Sequence, residues 1–161
     1  MFIALPNAFG DAVTNMAIDA ALLAHMPVGL ATFRHYGWQE PAATFGYTQQ
    51  YHRVVTELAS GHAPIEQAQA RTTLTRRMTG GGIVDHRNDW TYALILNSSV
   101  SAASTPATDL YAQIHHAISL SLDKIGIDSH LAHCPHLCKE TPAASDIPTR
   151  CFMTPAAHDV L

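Results

Sequence analysis

The densest run of chemistry-bearing residues is Leu74-Thr-Arg-Arg-Met-Thr-Gly-Gly-Gly-Ile-Val-Asp-His86. Successive side chains of a strand point to opposite faces, so Arg76 and Arg77 are expected to look in different directions. Leu74, Arg76 and Met78 share one face; Thr75, Arg77 and Thr79 share the other, more polar one. Gly80, Gly81 and Gly82 have no Cβ, which lets a ligand come close to the backbone, and free N–H groups there bind an anion. An arginine on the adjoining strand face adds a bidentate partner for carboxylate or phosphate. A turn flanked by two solvated arginines is the competing account of the same residues.

A second cluster, His133-Cys134-Pro135-His136-Leu137-Cys138, holds four thiol and imidazole groups of the kind that bind zinc. They do not form two separated ligand pairs, and adjacent His133 and Cys134 cannot easily share one tetrahedral site, so no metal is expected. The remaining histidines show no common ligand spacing. His115 and His116 sit beside an apolar helical stripe and are expected to face solvent.

These residues need elements to position them. Val13, Ala17, Ala20, Ala21 and Ala24 recur at helical spacing, with Asp11 or Thr14 as N-cap and Pro27 and Gly29 as stops, so a helix over about 11–25 with this alanine stripe is expected. Leu30–Tyr36 and Ala42–Tyr47 read as strands joined through Gly37-Trp38-Gln39-Glu40-Pro41, a hairpin-like pair that favours antiparallel pairing. Leu74–Thr79 is a short strand ended by the glycines. Thr91–Leu96 is a nearly continuous apolar run, consistent with burial on both faces. Leu110, Ile114, Ile118, Leu122 and Ile125 stripe a late helix, capped by Asp109 and ended by Gly126. A further strand is expected from Cys151. Strands with one early and one late helix make the chain α+β.

Composition narrows the function classes. With 161 residues, 47% of them hydrophobic and 14% charged, a folded domain is expected rather than disorder. No apolar run approaches the roughly 20 residues of a membrane span. Met1-Phe-Ile-Ala-Leu-Pro6 carries no basic leader, so no membrane association and a cytoplasmic location are expected. A net charge of −4 gives no footprint for nucleic acid. Three cysteines argue against a disulfide framework.

The pattern Arg76-Arg77-x-Thr79-Gly80-Gly81-Gly82-x-Val84-x-His86 resembles the signature of the lipoate–protein ligase A and octanoyltransferase family, whose catalytic domain is shared with biotin–protein ligases. Other segments agree in order: Asn15-Met16-Ala17-Ile18-Asp19, Phe33-Arg34-His35-Tyr36-Gly37-Trp38 with Pro41, Phe45-Gly46-Tyr47-Thr48-Gln49, Tyr111–Gly126, and Cys151-Phe152 with Pro155 and Asp159. Residues Ile127–Thr149 match nothing well. The resemblance implies one catalytic domain over 1–161. Its implied fold is a mixed, largely antiparallel sheet flanked by helices, like class II synthetases and biotin–lipoate ligases.

It also implies chemistry. Ligases of the family activate lipoate or octanoate with ATP and Mg2+ as an acyl-adenylate, then acylate a lysine of a lipoyl carrier domain, with no tightly bound cofactor. The carriers are 2-oxoacid dehydrogenase subunits or the glycine cleavage H protein. Arg77 is the expected anion contact, with Arg76 beside it. Thr79, Gly80, Gly81 and Gly82 would line the adenylate, and Gly82, Ile83, Val84 and Asp85 would offer backbone contacts. His86 would lie at the edge of the site or be a buried structural histidine. Gly46 and Gln49 are either ligand contacts or a strand-end turn. In one octanoyltransferase branch a cysteine at the place of Cys151 attacks the thioester of octanoyl-acyl carrier protein, without ATP. Arg150 beside it would point to the opposite face of an extended segment.

One departure matters. The family's catalytic lysine, in a Lys-x-x-Gly setting, follows the Cys-Phe and Asp region. Lys124 and Lys139, the only lysines here, do not match it. The chain is therefore expected to be C-terminally incomplete or completed by a separate chain, with a non-catalytic acyl- or nucleotide-binding module as the remaining alternative.

Overall fold

The structure, a computed structural model, describes residues 1–60, 72–87, 89–133 and 157–161. These residues fall into two units, one within 1–100 and one within 101–161. The zinc-like run from Cys134 and the region around Cys151 lie outside the described residues.

In the first unit Asp11 ends an extended segment and caps a helix, its carboxylate accepting the Thr14 N–H at 2.7 Å. The helix, α1, spans Ala12–His25. The side it buries is not the expected alanine stripe. Ala12 and Asn15 are fully buried, whereas Val13, Ala17, Ala21 and Ala24 are exposed. Polar anchoring sets the rotation. Arg34 donates to the Asn15 carbonyl at 3.1 Å and to its side-chain oxygen at 2.7 Å, and reaches Asp19 at 2.5 Å. A buried arginine is tolerable only when its donors are matched in this way, and the match outweighs the small transfer energy of alanine side chains.

Strands β1 (Phe2–Ala4) and β2 (Ala8–Gly10) run in turn along one edge of β3 (Ala31–Trp38), both parallel to it. Phe2 lies opposite Ala31 and Ala8 opposite Tyr36, so the edge holds one residue more than β3 between these pairs. Pro6, which has no N–H, sits in the interruption, as edge prolines do. The other edge of β3 pairs antiparallel with a strand at Thr91–Leu96, from Ala31 opposite Leu96 to Tyr36 opposite Thr91. That strand is not buried on both faces; only Ile95 is buried and its neighbours are half-buried.

A second sheet is centred on β4 (Ala42–Phe45), parallel to β5 (Thr73–Arg76) and antiparallel to β6 (Ile83–Asp85). The strand at 91–96 is thus β7. The expected hairpin between β3 and β4 does not form. Gln39 N–H stays with Gly10 at the end of the first sheet, at 3.1 Å, while Thr73 and His86 donate to Pro41 and Ala42 from either side of β4. Both edges of β4 are occupied, which leaves none for β3. Helix α2 (Tyr51–Ser60) brings Val54 and Leu58 onto Ala43, Phe45, Leu74 and Ile83, the apolar core beneath this sheet.

The second unit contains a 3₁₀ turn at Ser101–Ser104 and helix α3 (Ala107–Lys124). Its N-cap is Pro106, not Asp109, which falls in the first turn where its charge suits the helix dipole. Gly126, at φ +81°, ends the helix as expected, with Ile127 N–H returning to Leu122 at 3.0 Å. Leu110, Ile114, Ile118 and Leu122 are half-buried, but Ile125 is exposed. His115 does not simply face solvent: its Nδ1 is 2.9 Å from the His158 carbonyl and its ring lies on Tyr111. Among the described residues no helix is long and apolar enough to cross a membrane.

Candidate functional site

The site residues in the first unit assemble where β4 and β5 end. Arg77 N–H donates to the Phe45 carbonyl and Tyr47 N–H to the Thr79 carbonyl, at 3.0 and 3.1 Å, so the 46–49 and 77–82 loops lie side by side. Gly46 and Gln49 close their own turn: Gly46 N–H donates to Gln49 Oε1 at 3.1 Å, and Gln49 N–H to the Gly46 carbonyl at 3.0 Å. The glycines let the two backbones meet. A Cβ on Gly46 would stand 2.3 Å from the Gly81 carbonyl oxygen, and Gly81 itself has φ +91°. Gly80 is different, since a Cβ there would touch only the Tyr47 ring at 3.8 Å.

Arg76 and Arg77 do take opposite faces. Arg76 lies over the Phe45 ring, 4.8 Å from its centroid, and donates to the Tyr47 and Gln49 carbonyls at 2.6 and 2.8 Å. Arg77 turns to the Thr44 side. It donates to Thr44 Oγ1 at 3.2 Å and to the carbonyls of Gly80 and Gly82 at 2.7 and 2.9 Å. One planar guanidinium therefore spans the glycine loop and fixes two of its carbonyls, which a point-charge ammonium does less well. Thr79, Gly80 and Gly81 are exposed.

The rest of the motif separates. Ile83 is buried in the α2 core, so its side chain is structural and only its backbone borders the loop. Val84 is half-buried. Asp85 is exposed and forms a forked ion pair with Arg87. Burial pushes the Asp85 carboxyl up, but hydrogen bonds and charge from Arg87 outweigh it and hold the group below the usual carboxylate range.

His86 is 8% exposed and lies flat against Trp38, with ring centroids 4.1 Å apart. Its Nε2 is 2.8 Å from Thr44 Oγ1 and its Nδ1 is 2.5 Å from Asp89 Oδ2. Thr91 Oγ1 donates to the same Asp89 oxygen at 3.0 Å and accepts from Trp38 Nε1 at 2.9 Å. Thr44, Asp89 and Thr91 were not among the expected site residues. Only Thr44 left a trace in the sequence: it is the polar member of an alternation whose neighbours, Ala43 and Phe45, face the core.

Among the described residues no cluster of three or more His, Cys, Asp or Glu side chains has the arrangement to hold a metal. The site brings together an exposed glycine loop, a guanidinium that fixes two of its carbonyls, and a buried imidazole linked to that guanidinium through Thr44 Oγ1. That arrangement suits an oxyanion or a phosphate held by main-chain N–H groups.

Comparison with known proteins agrees in sequence and fold. Residues 11–147 match the lipoyl protein ligase A/B catalytic domain. The octanoyltransferase LipM of Kyrpidia tusciae is 30% identical over 155 residues, covering 94% of this chain and 53% of the relative. That of Oceanobacillus iheyensis is 31% identical over 148 residues, covering 86% and 51%. The chain thus spans about half the length of these relatives. In fold it is similar to a T. acidophilum protein solved with bound lipoic acid (TM-score 0.60, 22% identity, 86% of this chain and 52% of that one). It is also similar to lipoate-protein ligase A bound with ATP (TM-score 0.61, 21% identity, 82% and 49%). Its α+β architecture with mixed sheets is therefore shared with these solved proteins. With the glycine-loop motif inside the matched region, the chain belongs to the lipoyl protein ligase A/B catalytic domain family of enzymes.

Proposed function

We propose that this chain handles the acyl group in an octanoyl transfer reaction that ends on a lysine of a lipoyl carrier domain, such as those of 2-oxoacid dehydrogenases or the glycine cleavage H protein. The observation that carries the reading is the clamped glycine loop. Thr79, Gly80 and Gly81 are exposed while Arg77 ties the Gly80 and Gly82 carbonyls down, and in this reading the main-chain N–H groups of the exposed stretch meet the acyl oxygen. Such donors stabilise negative charge developing on an acyl oxygen without reorganising during the reaction. The relatives named octanoyltransferases support the octanoyl group as cargo.

In this reading the Cys151 thiolate attacks the octanoyl thioester of acyl carrier protein. The C–S bond to the carrier breaks, the carrier leaves as its thiol, and an octanoyl-cysteine thioester forms. The lysine amine of the lipoyl domain then attacks that thioester, restoring the Cys151 thiol and forming the amide. Incubating the chain with octanoyl-acyl carrier protein tests the first step. An octanoyl adduct should appear by intact-mass analysis without ATP and vanish in Cys151→Ala.

A second reading is favoured by the pairing of an arginine with the glycine loop, which suits an α-phosphate as well as an acyl oxygen. In it, octanoate or lipoate is activated with ATP and Mg2+ as an acyl-adenylate. Acid-dependent pyrophosphate release that survives Cys151→Ala would select this reading over the first. Binding of an octanoyl-adenylate analogue with no transfer from either donor would instead indicate a non-catalytic module.

A further inference from the structure

The atoms around His86 form a chain whose hydrogen-bond directions follow once the ring carries a single proton. A guanidinium only donates, so Thr44 Oγ1 accepts from Arg77. Thr44 keeps its single hydroxyl proton to donate, and a bare His86 Nε2 at 2.8 Å accepts it. A carboxylate only accepts, so His86 Nδ1 carries the ring proton and donates it to Asp89. Asp89 Oδ2 takes a second donor from Thr91, whose oxygen accepts from Trp38 Nε1, and an indole also only donates. With one proton on the ring, this assignment gives each donor of the series an acceptor, the nearer Asp89 oxygen at 2.5 Å taking the Nδ1 proton in preference to Thr91 Oγ1 at 3.5 Å. At one end the series meets the carboxylate of Asp89, at the other the arginine that holds the Gly80 and Gly82 carbonyls.

We infer that Asp89 and Thr44 are positioning residues that fix His86 as its Nδ1–H tautomer and, through Thr44, set Arg77 and the glycine loop. Among the described residues Asp89 forms no hydrogen bond with that loop; its influence runs through His86 and Thr44. His86 is itself buried and the half-buried Trp38 ring covers one side of its imidazole, so the tautomer is governed by these side chains rather than by solvent. Histidine function depends on which nitrogen carries the proton, and that is set by the partner of the other nitrogen. The inference deepens the proposed acyl-transfer site and rests on it only for the use to which the loop is put.

The test needs no acyl substrate. In a 15N-labelled chain at about pH 8, where imidazoles in general are neutral, long-range nitrogen–proton correlation should show His86 protonated on Nδ1 and bare on Nε2. Thr44→Val should keep that tautomer but move the amide signals of Gly80, Gly81 and Gly82, and Thr44→Ser should return them. Asp89→Ala should mix the two tautomers and move the same glycine signals. A wild-type His86 protonated on Nε2 would overturn the inference, as would glycine amides unmoved by Asp89→Ala. Should a variant fail to fold, the wild-type tautomer decides alone. A chain that shows the expected pattern yet transfers no octanoyl group would refute the proposed function and leave this inference standing.

Discussion

Gly46 and Gly81 touch through their backbones: a Cβ on Gly46 would lie 2.3 Å from the Gly81 carbonyl oxygen and 3.1 Å from its nitrogen. The obstacle is main chain, which cannot swing aside as a side chain would. Gly46→Ala should therefore separate the two loops and destabilise the fold by about 2 kcal/mol, in the range of overpacking substitutions. Urea unfolding would measure the loss. Gly80→Ala is the control, since its Cβ has ordinary clearance from Tyr47 and should cost less.

Arg77 and Arg76 are predicted to differ in kind. Arg77→Ala releases two loop carbonyls and Thr44 and should slow octanoyl transfer by about tenfold or more, the effect of losing charge-assisted hydrogen bonds. Arg77→Lys should recover little, because an ammonium lacks the planar fork. Arg76→Ala loses the contact with Phe45 and the Tyr47–Gln49 carbonyls on the other face. Its effect on the rate should be smaller; equal losses would mean that the two faces are not independent.

How far the sequence revealed this site follows the range of the forces involved. The Asp11 cap and the opposed faces of Arg76 and Arg77 depend on neighbours a few residues away, so alternation and cap chemistry exposed them. The separation of β3 from β4 depends on residues from two distant segments, β5 and β6, filling both edges of β4. No local pattern announces that. The rotation of α1 was misread for a related reason. Its alanine stripe is apolar, yet Asn15 and Asp19 are held by Arg34, and a buried guanidinium exerts a stronger claim than alanine methyls. The Thr44–His86 contact joins residues 42 positions apart and became visible only in three dimensions.

Asn15 should prove the most sensitive side chain of α1. It is fully buried, donates to the Gly10 and Gly37 carbonyls at 3.2 and 3.1 Å, and accepts from Arg34 at 2.7 Å. Truncation strands all three groups in a buried place. Asn15→Ala is expected to cost about 3 kcal/mol, read as a lower urea midpoint with an unchanged slope.

Thr75 should behave in the opposite way. It lies beside Thr44 in the β4–β5 ladder, and its hydroxyl oxygen is buried with no hydrogen-bond partner among the described residues. An orphan hydroxyl contributes only its desolvation penalty, so Thr75→Val should leave stability unchanged or raise it by up to about 1 kcal/mol. A fall of about 1 kcal/mol or more, the worth of an ordinary hydrogen bond, would show that Thr75 has a partner after all.

Tyr36 predicts the alkaline limit of the first unit. Its ring is 3% exposed and its hydroxyl donates to Asp19 Oδ2 at 2.9 Å. Burial first, then the charge of Asp19 and the hydrogen bond to it, hold the phenol well above its ordinary range. In the unfolded chain the group ionises at about pH 10, the ordinary tyrosine value. Above that pH the unfolded chain has released a proton that the folded chain keeps, so stability must fall as pH rises. The contribution is complete below the unfolded value and is lost as pH climbs toward the folded one. Urea midpoints measured from about pH 8 to 11 should decline for the wild type beyond what its other tyrosines cause. Tyr36→Phe should be less stable at neutral pH, having lost the bond to Asp19, but decline less steeply. If the two curves run parallel to the alkaline end, ionisation of Tyr36 is not opposed by the fold.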